Sequence, residues 1–191
     1  MLLVVPFRDG KSRIDAPRHV RRRLALAMLG DVLAACRPVG DVVLVTDDPA
    51  ARELADRVVH DPGGGQGAAV AAALVDREPG PVLVVNADVP AIVPEDLRAL
   101  LAATPLAGLA LVEADDGTTN ALSLPAPQVF ASLYGPGSAR RFLDHARSLG
   151  LAGVSVAIPN LADDVDTLDD LRRVQLRAGP RTQAALTALA A

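Results

Sequence analysis

The chain has no tryptophan, one cysteine and one lysine, and aromatic residues amount to 2%. A lone thiol, Cys36, excludes a disulfide framework and suits a reducing compartment, so a cytoplasmic protein is expected. No extended basic tract is present and the net charge is −4, which argues against nucleic acid as a partner. The longest apolar stretch, around Ala68 to Val75, is far short of the roughly 20 residues that a membrane helix needs. Met1 to Val5 lacks a basic segment and a small-residue cleavage site, so no secretory signal is expected. Paired Cys/His spacings for zinc are missing, as is a Gly-x-Ser-x-Gly elbow, and His19, His60 and His145 stand far apart. Zinc chemistry and a serine–histidine nucleophile are thereby set aside.

What is there is a chain of 191 residues, 50% hydrophobic and 22% charged. It is too apolar for overall disorder, long enough for a sizeable core, and of a size for one domain spanning residues 1–191. Arginine outnumbers lysine eighteen to one and there are only three asparagines, so Lys11, Asn86, Asn120 and Asn160 carry more information than usual. Leu2 to Pro6, Val42 to Val45 and Val82 to Val85 are short continuous apolar runs, the pattern of strands buried on both faces. Val20, Leu24, Met28 and Val32 recur every four residues, which predicts a helix closed by Pro38 and Gly40. Asp48-Pro49 reads as a helix start. Further helices are expected at Pro49 to Asp56, from Gly67 to about Arg77, from Pro94, at Ser138 to Leu149 and at Thr167 to Ala178. Further strands are expected at Arg57 to His60, Leu109 to Glu113, Ala121 to Leu124 and Val154 to Ile158. This alternation predicts a single three-layer α/β/α domain with a mostly parallel sheet. Ligands of such sheets bind beyond the carboxyl ends of the strands, where the strand order switches.

The segments after the strands therefore carry the chemistry. Arg8-Asp9-Gly10-Lys11-Ser12-Arg13 is not a P-loop, because the position five before Gly10 is Val5. A glycine turn with Lys11 and Arg13 still suits a polyphosphate and its departing pyrophosphate, against the blander reading of a solvated basic turn. Gly63 to Gly67 reads as a cradle that lets backbone approach a nucleotide, or as a mobile connection; Gly64, Gly65 and Gly67 are the candidates. Asn86-Ala87-Asp88-Val89-Pro90 puts a carboxylate at the end of a central strand. The next helix starts later, at Pro94, so Asp88 is read as a Mg²⁺ ligand rather than a cap. Asp163-Asp164-Val165-Asp166-Thr167 has more acids than one cap requires, and one or two of them would complete that metal site. Asp115 to Asn120 reads as a polar loop. With Gly135-Pro136-Gly137-Ser138-Ala139-Arg140-Arg141 it offers hydroxyls, helix-start amides and arginines to a small phosphorylated acid.

In this order, these pieces resemble the CofC/FbiD guanylyltransferases of coenzyme F420 biosynthesis, a family of MobA-like nucleotidyltransferases. The most specific match is Gly117-Thr118-Thr119-Asn120-Ala121-Leu122 followed by Gly135-Pro136-Gly137-Ser138-Ala139-Arg140; Asp164-Val165-Asp166-Thr167 and Gly179-Pro180-Arg181-Thr182 extend it to nearly the whole chain. The resemblance implies a reaction between GTP and phosphoenolpyruvate or 2-phospholactate that releases pyrophosphate. It implies that Thr119, Gly135 and Ser138 hold the three-carbon acid. Asp88, Asp164 and Asp166 would carry Mg²⁺, and Lys11 and Arg13 would contact the triphosphate. Two positions depart from the family pattern, Val5 where a lysine is usual and Gln66-Gly67 where Leu-Asn is usual. The rival readings are a related nucleotidyltransferase with another phosphorylated acceptor, and a catalytically silent nucleotide-binding protein.

Overall fold

The computed structural model describes residues 1–8 and 14–190, so Gly10, Lys11 and Arg13 lie outside the described residues. Seven strands form one sheet: β1 (Leu2–Pro6), β2 (Asp41–Val45), β3 (Val58–Val59), β4 (Val82–Val85), β5 (Gly108–Glu113), β6 (Thr119–Leu124) and β7 (Ala152–Ser155). Their order is β3-β2-β1-β4-β6-β5-β7. All neighbours run parallel except β6, which is antiparallel to both β4 and β5.

The apolar runs are continuous because both faces of the sheet are covered. Leu3, Val5, Leu83, Val85, Ala110 and Val112 face one side, where they pack on α1 (Arg18–Cys36) and α4 (Pro94–Ala103). Val4, Val43, Val82, Val84, Leu109 and Leu111 face the other, against α3 (Gln66–Leu74) and α5 (Ser138–Ser148). Alternate residues thus serve alternate layers, as the pleat dictates. A third cluster joins Met28 and Leu24 of α1 to Val174 of α7 (Leu168–Val174) and Ala185 of α8 (Pro180–Ala190). Cys36 is buried in the first cluster, and burial pushes its thiol up to about 12.

Several expectations need correction. The helix at Pro49 is a single turn, α2 (Pro49–Arg52), although Asp48 caps it as read, accepting from the N–H groups of Ala50 and Ala51. The last strand begins earlier, at Ala152, and a short α6 (Pro159–Ala162) follows it, so the acidic run Asp163 to Asp166 comes after a helix. Thr119 and Asn120 belong to β6 rather than to a loop: the β4–β6 ladder continues beyond Val85↔Ala121 with Asn86 N–H donating to Asn120 O at 2.9 Å. The helix α8 was not foreseen.

Candidate active site

From β1 the chain moves outward to β2 and β3, then returns with β4 on the opposite side of β1. The switch in strand order therefore falls between β1 and β4, and beyond their carboxyl ends lies a cavity of about 230 Å³. Phe7 and Arg8 leave β1 into its wall, Asn86 to Asp88 leave β4, and Ala25, Met28 and Ala69 supply an apolar floor. A second cavity, about 190 Å³, adjoins it and shares Gln66, Asn86 and Asp88; Asp164, Thr119 and Ser138 also line it.

At the junction three half-buried carboxylates meet. Asp88, Asp164 and Asp166 each offer an oxygen within 4.8 Å of the others. Local structure explains how two distant segments come together. Val165, fully buried, donates its N–H to Asp88 O at 2.9 Å. Asp163 turns away to Arg177 (2.5 Å) and Arg173 (3.3 Å), leaving Asp164 and Asp166 on the cavity side. Thr167 caps α7 in a reciprocal box with Asp170, and Asp166 N–H also donates to Asp170 Oδ2 at 3.2 Å. Burial opposes ionisation of Asp170, but hydrogen bonds from Thr167 and Asp166 outweigh it and hold its carboxyl below the usual range. Three carboxylate oxygens converging this closely repel one another, and an all-oxygen donor set of this kind suits a hard divalent cation such as Mg²⁺.

The predicted acid-binding residues also come together. The turn between β5 and β6 is tied to the start of α5 by Ala139 N–H donating to Gly117 O at 3.3 Å. This places Ser138, fully buried, so that its Oγ donates to Thr119 Oγ1 at 3.0 Å. Gly135 lines the same cavity with φ +112°, a conformation that a side chain would strain. Arg140 and Arg141 do not line it: Arg140 pairs with Asp144, and Arg141 donates to the carbonyls of Leu133 and Pro136, securing the segment that carries Gly135.

The glycine segment is placed differently from the expectation of a direct cradle. Gly64 and Gly65 have positive φ and lie in the loop ahead of α3, and none of Gly64, Gly65 or Gly67 lines either cavity. Gly67 packs against Ser132, whose Oγ would stand 1.9 Å from an added Cβ. The loop is clamped by Arg8, which pairs with buried Asp61 and donates to Gly65 O at 3.2 Å. That hydrogen-bonded pairing holds the Asp61 carboxyl below its ordinary value. Sequence reasoning also missed Gln66, Asn86 and Asn120 as cavity residues. The rarity of asparagine was the one signal that pointed at two of them.

The sheet order and its two helical layers are those of the nucleotide-diphospho-sugar transferase fold. The fold is shared with a proposed nucleotide-diphospho-sugar transferase from Desulfovibrio desulfuricans G20 (TM-score 0.78, 16% identity, 98% of this chain and 94% of that one). It is also shared with a Methanothermobacter nucleotidyl transferase (TM-score 0.67, 16% identity, 98% of each). Residues 1–186 match the family described as guanylyl transferase CofC like. Among relatives, a phosphoenolpyruvate guanylyltransferase from Streptomyces scabiei is 40% identical over 97% of this chain and 94% of its own length. One of the same name from Roseiflexus castenholzii is 38% identical over 88% and 83%. The chain belongs to this guanylyltransferase family and is an enzyme of the nucleotidyltransferase class. No described helix is long and apolar enough to cross a membrane.

Proposed function

We propose that this chain, working as one domain in the cytoplasm, transfers the guanylyl group of GTP to phosphoenolpyruvate or a close three-carbon analogue such as 2-phospholactate. The observation that carries the reading is the meeting of Asp88, Asp164 and Asp166 at the junction of two cavities. The cavity between β1 and β4, with its apolar floor, suits the nucleotide. The polar one, with the Thr119–Ser138 hydroxyl pair, suits the small acid. Relatives at 38–40% identity carry the corresponding name.

An oxygen of the acceptor phosphate attacks the α-phosphorus of GTP in line, forming the new P–O bond as the bond to pyrophosphate breaks. Mg²⁺ held by the three aspartates would neutralise charge on the reacting phosphates. The chain's own contribution is placement and electrostatics. Thr119, Ser138 and the Gly135 backbone orient the acid, while Lys11 and Arg13 meet the triphosphate, a role that rests on the family resemblance. No general base is needed, because the acceptor phosphate is ionised at neutral pH, which accords with the absence of histidine among the described residues that line the two cavities.

The test is pyrophosphate release from GTP, Mg²⁺ and phosphoenolpyruvate. Release that depends on all three supports the reading. Release only with a different phosphorylated acceptor, or GTP binding without release, overturns it in favour of a related transferase or a silent binding protein.

A further inference from the structure

Four side chains that line the two cavities form a directed chain of hydrogen bonds. Gln66 Nε2 donates to Asn86 Oδ1 at 2.5 Å, Asn86 Nδ2 to Asn120 Oδ1 at 3.1 Å, and Asn120 Nδ2 to Asp164 Oδ1 at 3.3 Å. Amide orientation is fixed by the remaining partners. Asn86 Nδ2 also donates to Thr119 O at 3.3 Å and Asn120 Nδ2 to Ala162 O at 3.0 Å. Each NH₂ group thus faces two acceptors, and rotating either amide would set oxygen against oxygen. Asn120 is 1% exposed and lies in a strand, where asparagine is disfavoured and a buried polar side chain must satisfy its hydrogen bonds. Replacing it with an apolar residue would leave the same strand with better propensity. Its presence therefore points to the charged group that it touches, Asp164.

We propose that Asn120, with its amide direction set by Asn86, is a positioning residue that fixes the rotation of the Asp164 carboxylate and aims it at the divalent cation. The proposal rests on the guanylyl-transfer reading only for the cation's catalytic use; metal binding itself is measured without substrates. Partners that orient a metal ligand typically govern affinity by 10–100-fold. The head of the chain, Gln66, lines both cavities, so the same amides span the floor between nucleotide and acceptor.

The experiment titrates Mn²⁺ alone into substrate-free full-length protein and follows the spin resonance of the free ion. Asn120→Ala is expected to weaken Mn²⁺ binding roughly 10–100-fold, with the circular-dichroism spectrum retained. Asn86→Asp is the sharper variant, because it keeps the volume but cannot donate to Asn120. A nearby added carboxylate would by simple attraction tighten Mn²⁺ binding; the positioning role predicts weakening. Tighter or unchanged Mn²⁺ binding by Asn86→Asp, or failure of both variants to fold, overturns the proposal. If the wild type binds Mn²⁺ but releases no pyrophosphate, and the variants lose Mn²⁺, the functional reading fails and the positioning role stands. Pyrophosphate release by the wild type alongside variants with full Mn²⁺ affinity gives the reverse result. A wild type that binds no Mn²⁺ overturns both.

Discussion

The N–H of Val165 donates to the carbonyl of Asp88 at 2.9 Å, joining the turn after the central strand to the segment ahead of α7. Because Val165 is fully buried, its neighbours Asp164 and Asp166 are held at the cavity whatever their charge would otherwise prefer. Backbone pairing and core burial therefore bring the two acidic segments together. The stability of the acidic cluster and its chemistry are separable.

Asp88→Asn tests that separation. It removes one ligand and one negative charge but keeps the backbone bond to Val165. Turnover is expected to fall by several kcal/mol in the barrier, roughly 10³-fold or more in kcat. The metal-free melting temperature should be nearly unchanged, since that backbone bond and the burial of Val165 are kept. Steady-state pyrophosphate release and a thermal melt in EDTA check both halves; a large loss of stability would show that the side chain itself holds the segments together.

Ser138→Ala separates the two substrates. The hydroxyl pair with Thr119 lines the cavity proposed for the acid and not the one proposed for the nucleotide. Loss of a hydrogen bond to a charged acid costs about 1.5–3 kcal/mol, so KM for the acid should rise about 10–100-fold. KM for GTP should hold. Equal changes in both would place Ser138 wrongly.

The sheet was legible where one local signal sufficed. Val82 to Val85 is all apolar and is β4 to the residue, and Asp48-Pro49 capped a helix as its chemistry requires. Asp88 was legible because the next helix starts later, at Pro94, while the excess of acids at Asp163 to Asp166 pointed only to one or two ligands there, and the family resemblance singled out Asp164 and Asp166. The insertion of β6 antiparallel between β4 and β5 was not, since strand order is set by long-range pairing. That insertion also hid Asn120: Thr119-Asn120 has loop composition, and pairing with β5 on one side and Asn86 on the other makes it strand. The clamp on the Gly64–Gly65 loop was likewise hidden, since Arg8 and Asp61 are distant in sequence.

That clamp has a pH signature. The Asp61 carboxyl is held below its ordinary value, so its stabilisation is complete above the normal aspartate range near pH 4 and is lost as pH falls through the lower folded value. Arg8 is 43% exposed, and solvent screening limits the pair to about 1 kcal/mol. Asp61→Asn should lower the melting temperature at pH 6, with the gap to wild type closing as both are acidified toward pH 2. Melts across that range check it, and a constant gap would mean that the loss comes from packing rather than charge.

The end of the chain offers a cap that no local pattern announces. Asp31 of α1 is 5% exposed and accepts from Arg181 N–H at 3.1 Å and Thr182 N–H at 2.8 Å, the first turn of α8, from 150 residues earlier in sequence. A carboxylate there satisfies orphan donors and complements the helix dipole. Gly179 is confined by the same contact, since an added Cβ would stand 2.4 Å from Asp31 Cγ, and its N–H donates to Pro90 O at 2.8 Å. Asp31→Ala should cost about 2 kcal/mol, or roughly 4–8 °C in melting temperature for a chain of this size. Asp31 lines neither cavity, so kcat at 25 °C should be retained. A thermal melt beside an initial-rate assay decides the matter: lost activity in a fully folded Asp31→Ala enzyme would mean that the link through Gly179 and Pro90 controls the placement of Asp88.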